Sequence, residues 1–73
     1  MSLQEIEAFI NEMSAVKKMM HYLPIDILEQ HMIEMAQEKK EIRSLLIPRE
    51  LKSDLIAKIE QFESDFVREI HNR

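Results

Sequence analysis

The chain has 73 residues and a formal net charge of −4, with no cysteine, no glycine and two prolines. Disulfides and thiolate metal sites are thereby excluded, and the lack of glycine argues against β-hairpin turns and phosphate-cradling loops. The acidic balance, greatest over residues 24–47, disfavours sequence-independent contact with nucleic-acid phosphates.

What remains is a small helical domain. Residues are 45% hydrophobic and 33% charged, with helix formers such as Glu, Lys, Leu, Met and Ile abundant. A chain this short sits near the lower limit for an independent core, so it depends on regular helix packing or on oligomerisation.

The first segment spans about residues 3–22. Ile6, Phe9, Met13, Val16, Met20 and Leu23 recur in steps of three and four, which places them on one helical seam. Leu3 and Ile10 widen it, and Ser2 with Glu5 three positions on reads as a capping box. Pro24 pushes Leu23 out of helical geometry and ends the segment.

The second segment spans about residues 26–46, with Asp26 as the expected N-cap and Glu29 in the matching box position. Its seam is Ile25, Leu28, Met32, Met35, Lys39, Ile42 and Leu46, flanked by Ile33, Ala36 and Ile47. So broad an apolar face predicts a central helix that packs against both neighbours, with the Lys39 stem lying along apolar surface near Phe9.

Pro48 opens the third segment, about residues 48–71, as its expected first helical residue. The seam there is Leu51, Leu55, Ile59, Phe62, Phe66 and Ile70, with Ile56 and Val67 as a second stripe. Short linkers between long helices favour antiparallel neighbours. The expected fold is therefore an all-α antiparallel three-helix bundle forming a single domain over residues 1–73. The alternative is a helical hairpin whose third helix extends past Pro48 and completes its core in a homodimer.

Functional signals are sparse. His31 and Glu34 share a helical face, and His21 and His71 fall at helix ends, but the paired Glu-x-x-His pattern of di-metal bundles does not occur. Five serines are scattered without a nucleophile elbow, and the carboxylates, including Glu34, Glu38 and Glu60, read as solvated faces. Neither an enzyme nor a cofactor nor a small-molecule substrate is expected. No apolar run approaches the ~20 residues of a membrane span, and no signal-peptide pattern opens the chain, so the expected setting is cytoplasmic.

The expected function is a non-enzymatic protein–protein interaction module acting through apolar helix faces, with another protein or a second copy as partner. Ile33, Ile56, Val67 and Met19 are the candidate contact residues. Met13, Met20, Met32 and Met35 fall on the inner faces of the first two helices. Methionine adapts to irregular shapes, so these residues suggest either core filling or a groove that accepts a partner helix. The competing expectation is a nucleic-acid-associated regulator using Lys39, Lys40, Arg43, Arg49 and Lys52. Glu38, Glu41 and Glu50 interrupt that basic region, and no aromatic side chain interleaves it for base stacking.

Overall fold

A computed structural model describes residues 2–73. It contains α1 (Leu3–Lys18), a 3-10 turn (Met20–Tyr22), α2 (Ile25–Ser44) and α3 (Arg49–His71). The principal extents are 39 × 18 × 16 Å. A 23-residue helix rises about 35 Å, so the long axis holds one helix length and the cross-section holds the three side by side. This is the expected three-helix bundle. Pro48 is a turn and not a kink, and α3 folds back along α2.

Ion pairs fix the directions. Lys17 meets Asp65 at 2.8 Å and His21 meets Glu69 at 2.5 Å, in the same order along both helices, so α1 and α3 run parallel. Lys39 meets Glu63 while the more distal Lys52 returns to the Arg43 carbonyl, so α2 and α3 run antiparallel.

Eight side chains form the buried core: Ile6 and Met13 from α1, Leu28, Met35 and Ile42 from α2, and Leu55, Ile59 and Phe66 from α3. All eight lie on the seams read from the sequence. Two expectations about this packing are corrected. The helix that approaches both others closely is α3, not α2. Lys39 points toward α3, where it reaches Glu63 at 2.7 Å and Glu60 at 3.5 Å, and not toward Phe9. A cation on the α2 seam is best satisfied where carboxylates face it, and the α3 flank supplies them.

Helix boundaries differ by a few residues, each for a local reason. The regular part of α1 stops at Lys18, and the chain tightens into i→i+3 bonds, Met19 N–H to Val16 O and Tyr22 N–H to Met19 O. Asp26 is not the N-cap of α2. Pro24 takes that place with extended backbone (φ −63°, ψ 155°), and its carbonyl accepts from Ile27 and Leu28; Asp26 sits in the first turn, where its charge suits the helix dipole. Pro48 is likewise a cap and not the first helical residue. Leu46 was expected on the seam of α2. The helix ends at Ser44, the backbone turns extended at Leu45, and Leu46 is fully exposed at 103%. The Ser2 cap forms as read, its Oγ accepting from Glu5 N–H at 3.3 Å.

No described residue has a positive φ. Helix C-termini elsewhere often close through a left-handed glycine; here side chains of α3 and of the residues just after it do that work. Lys52 Nζ donates to Arg43 O at 3.0 Å at the end of α2, assisted by Ser44 Oγ to Lys40 O at 3.3 Å. Arg73 donates to Leu23 O at 2.5 Å and Met20 O at 2.6 Å beyond the end of α1, and Glu69 steadies it at 3.1 Å.

Two consequences are measurable by chemical denaturation. Ile59→Ala empties a fully buried core site and is expected to cost about 2–5 kcal/mol, whereas Leu46→Ala is expected within about 0.5 kcal/mol of the parent. Arg73→Ala removes two charge-assisted bonds and is expected to cost about 1–2 kcal/mol, with faster amide exchange over residues 19–23. Arg73→Lys restores part of that loss, because an ammonium cannot span both carbonyls as a guanidinium fork does.

Candidate functional site

The close approaches of α3 to both partners leave α1 and α2 further apart from each other. An open groove of about 440 Å³ lies between them, lined by Phe9 from α1 and by Ile33, Glu34, Gln37, Glu38 and Glu41 from α2. Phe9 is half-buried against the core, while Ile33 stands 64% exposed. A smaller groove of about 250 Å³ between α1 and α3 is lined by Glu7, Ile10, Asn11, Leu51, Leu55 and Lys58, and there acid and base are both present.

The larger groove is one-signed. Three of its six lining residues are glutamates and none is a cation. Two lysines turn away from it, Lys17 to Asp65 and Lys39 to Glu60 and Glu63, all on the α3 side.

Glu38 is the unusual member. It is 7% exposed, and its Oε2 is buried without a hydrogen-bond partner among the described residues. Burial holds its pKa above the ordinary carboxylate value, and the charges of Glu41 and Glu5 push in the same direction. Asp65 is also buried and shows the opposite response. Lys17 pairs with its Oδ2, and Gln61 Nε2 donates to Oδ1 at 3.2 Å. The bond from Lys17 outweighs desolvation and holds the Asp65 pKa below its usual value. Lys39 is shifted upward, chiefly by its bond to Glu63.

The residues singled out from sequence are distributed over separate surfaces. Ile33 lies in the groove. Ile56 and Val67 lie on α3, Ile56 half-buried against the core and Val67 exposed. Met19, 50% exposed, caps the end of α1. Met13 and Met35 are fully buried, and Met20 and Met32 pack at the core edge, so the methionines fill the interior and do not line the groove. Of the basic region, Lys39 and Lys52 are engaged within the bundle, while Lys40, Arg43 and Arg49 are exposed. His31 Nδ1 bonds Glu34 Oε1 at 2.8 Å, and its ring meets Phe66 edge-on at 6.2 Å.

Sequence reasoning passed over Glu38 and Phe9 as site residues. The signal for Glu38 was its place three residues after Met35 and four before Ile42, which is seam spacing; Lys39 was assigned to the seam instead. Both positions flank it, one turned to α1 and the other to α3.

No group of histidine and carboxylate side chains among the described residues is arranged to hold a metal ion, and no helix is long and apolar enough to cross a membrane. No known protein family, curated protein or solved structure matches the chain.

The two buried acids predict opposite pH responses. Glu38 has a raised folded pKa, so its favourable contribution is present at acid pH and is lost as pH rises through that value. Glu38→Gln is therefore expected to stabilise the bundle by about 1 kcal/mol at pH 7, with the gain vanishing below the carboxylate range. Asp65 has a depressed folded pKa, so its contribution is present at neutral pH and lost on acidification. Asp65→Asn is expected to cost about 1 kcal/mol at pH 7, reduced by the half-exposed Lys17 amine, and progressively less as pH falls. Urea titrations across pH read both; parallel pH profiles for the two variants would contradict the assignment.

Proposed function

We propose that this protein is a non-enzymatic interaction module that accepts a helix of a partner in the groove between α1 and α2. The observation that carries this reading is the groove itself: an apolar pair, Phe9 and Ile33, set between two antiparallel helices and left uncovered by α3. Two helices side by side with an unfilled apolar furrow take a further helix by ridge-into-groove packing, which turns a three-helix bundle into a four-helix one. Ile33 carries the largest exposed share of that surface, and an exposed isoleucine beside a half-buried phenylalanine gains most from being covered.

A displayed library of helical peptides, with apolar positions at i, i+3, i+4 and i+7 and the polar positions drawn equally from Lys, Gln and Glu, tests this. Selection on the protein is expected to enrich sequences that lose at least about tenfold in affinity to Ile33→Asp and keep their affinity for Val67→Asp on α3. Enriched sequences indifferent to Ile33→Asp, or no enrichment at all, would reject the groove as a binding face.

A further inference from the structure

The charge of the groove specifies more than its shape does. Glu34, Glu38 and Glu41 line one wall in successive turns of α2, and Glu5 of α1 is close enough to act on Glu38. No lysine, arginine or histidine lines it. Elsewhere in the molecule carboxylates that face a neighbouring helix have a cation waiting: Asp65 has Lys17, Glu63 has Lys39, and Glu69 has His21 and Arg73. On the α1–α2 wall Glu34 has only its own-helix neighbour His31, at 2.8 Å, and no ion pair reaches Glu38 or Glu41 among the described residues.

The second observation is independent of the cluster. Glu38 is more than nine-tenths buried in the groove wall, with one carboxylate oxygen that has no hydrogen-bond partner among the described residues. A buried carboxylate without a partner costs free energy that an apolar side chain at position 38 would not. A cation supplied from outside offsets that cost and desolvates together with it. A metal ion does not meet the need, because the carboxylates do not converge in ligand geometry. A second copy of this chain is a poor occupant, since each copy carries a net charge of −4.

Resting on the helix-accepting reading above, we propose that the occupant is a cationic amphipathic helix of another protein: its apolar side chains cover Phe9 and Ile33, and a lysine or arginine beside them seats on Glu38, flanked by Glu34 and Glu41. The apolar contact supplies most of the affinity and the cation supplies selectivity, rejecting acidic or neutral helices that present the same apolar stripe.

The test reads the polar positions of peptides from the library just described, in which Lys, Gln and Glu start equal. Groove-dependent sequences are expected to be enriched in Lys beside the apolar stripe. Replacing those lysines with Gln in one selected peptide is expected to weaken binding about tenfold or more, and raising salt to weaken it further. In the protein, Glu38→Gln and Glu41→Gln are expected to weaken the Lys peptide several-fold while Glu29→Gln, an exposed acid outside the groove, does not. Amide shifts in a labelled protein are expected at residues 9, 33, 37 and 38. Groove-dependent peptides with no preference for Lys would overturn the cationic partner and leave the groove standing. Equal losses from Glu29→Gln and Glu38→Gln would reduce the effect to general attraction by an acidic protein and also overturn it. Concentration-dependent dimerisation of the protein alone, with shifts at the same four amides, would make the occupant a second copy. Failure to obtain any peptide sensitive to Ile33→Asp would remove the groove reading and this proposal together.

Discussion

A chain without glycine must close its helices some other way, and that constraint organises this bundle. Backbone carbonyls at a helix end need donors. With no left-handed residue to turn the chain back on itself, two of the donors are long cationic side chains, Lys52 of α3 at the end of α2 and Arg73, just past α3, beyond the end of α1. Lys52 near the start of α3 and Arg73 just past its end hold that helix against both of the others. The ion pairs from Lys17 and Lys39 into α3 reinforce the same placement. Helix three thus serves as core wall, charge partner and cap for the rest of the fold.

The groove follows from that placement. Once α3 is drawn against α1 on one flank and α2 on the other, the remaining flank between α1 and α2 is held by fewer contacts. Lys17 and Lys39 are committed to α3, and on the open flank only Glu34 has a partner, its own-helix neighbour His31. Glu38 concentrates the result, a buried acid whose neighbours are also acids. The site is in this sense what the bundle leaves unsatisfied after satisfying its helix ends.

Much of the fold was legible in the sequence. Every core residue falls on a seam with three-and-four spacing, and both prolines mark turns. Periodicity captures which side of a helix is apolar, and burial follows that side closely. What it does not carry is which of two flanks turns to which neighbour. Positions 38 and 39 straddle the α2 seam; pattern alone favoured Lys39, whose aliphatic stem resembles a core residue, over Glu38. Leu46 was misplaced for a related reason: its spacing continues the seam, but the helix has already ended two residues earlier, and spacing has no meaning once the backbone turns extended. The groove was legible only as a possibility attached to methionines, whereas Phe9 and Ile33 line it. Which inner-face residues end up beneath α3 and which stay uncovered is a property of the three-body packing.

The reach of Arg73 also bears on how the protein is made. Its bonds to the α1 end span 50 and 53 positions of sequence, while the α2–α3 hairpin closes through far more local pairs such as Arg43 with Lys52. During vectorial synthesis α1 emerges first, yet the arginine that stabilises its end emerges some fifty residues later. A 16-residue helix such as α1 is marginal in water by itself. Contact separation therefore favours the α2–α3 hairpin as the platform onto which α1 docks, against the order in which the helices leave the ribosome.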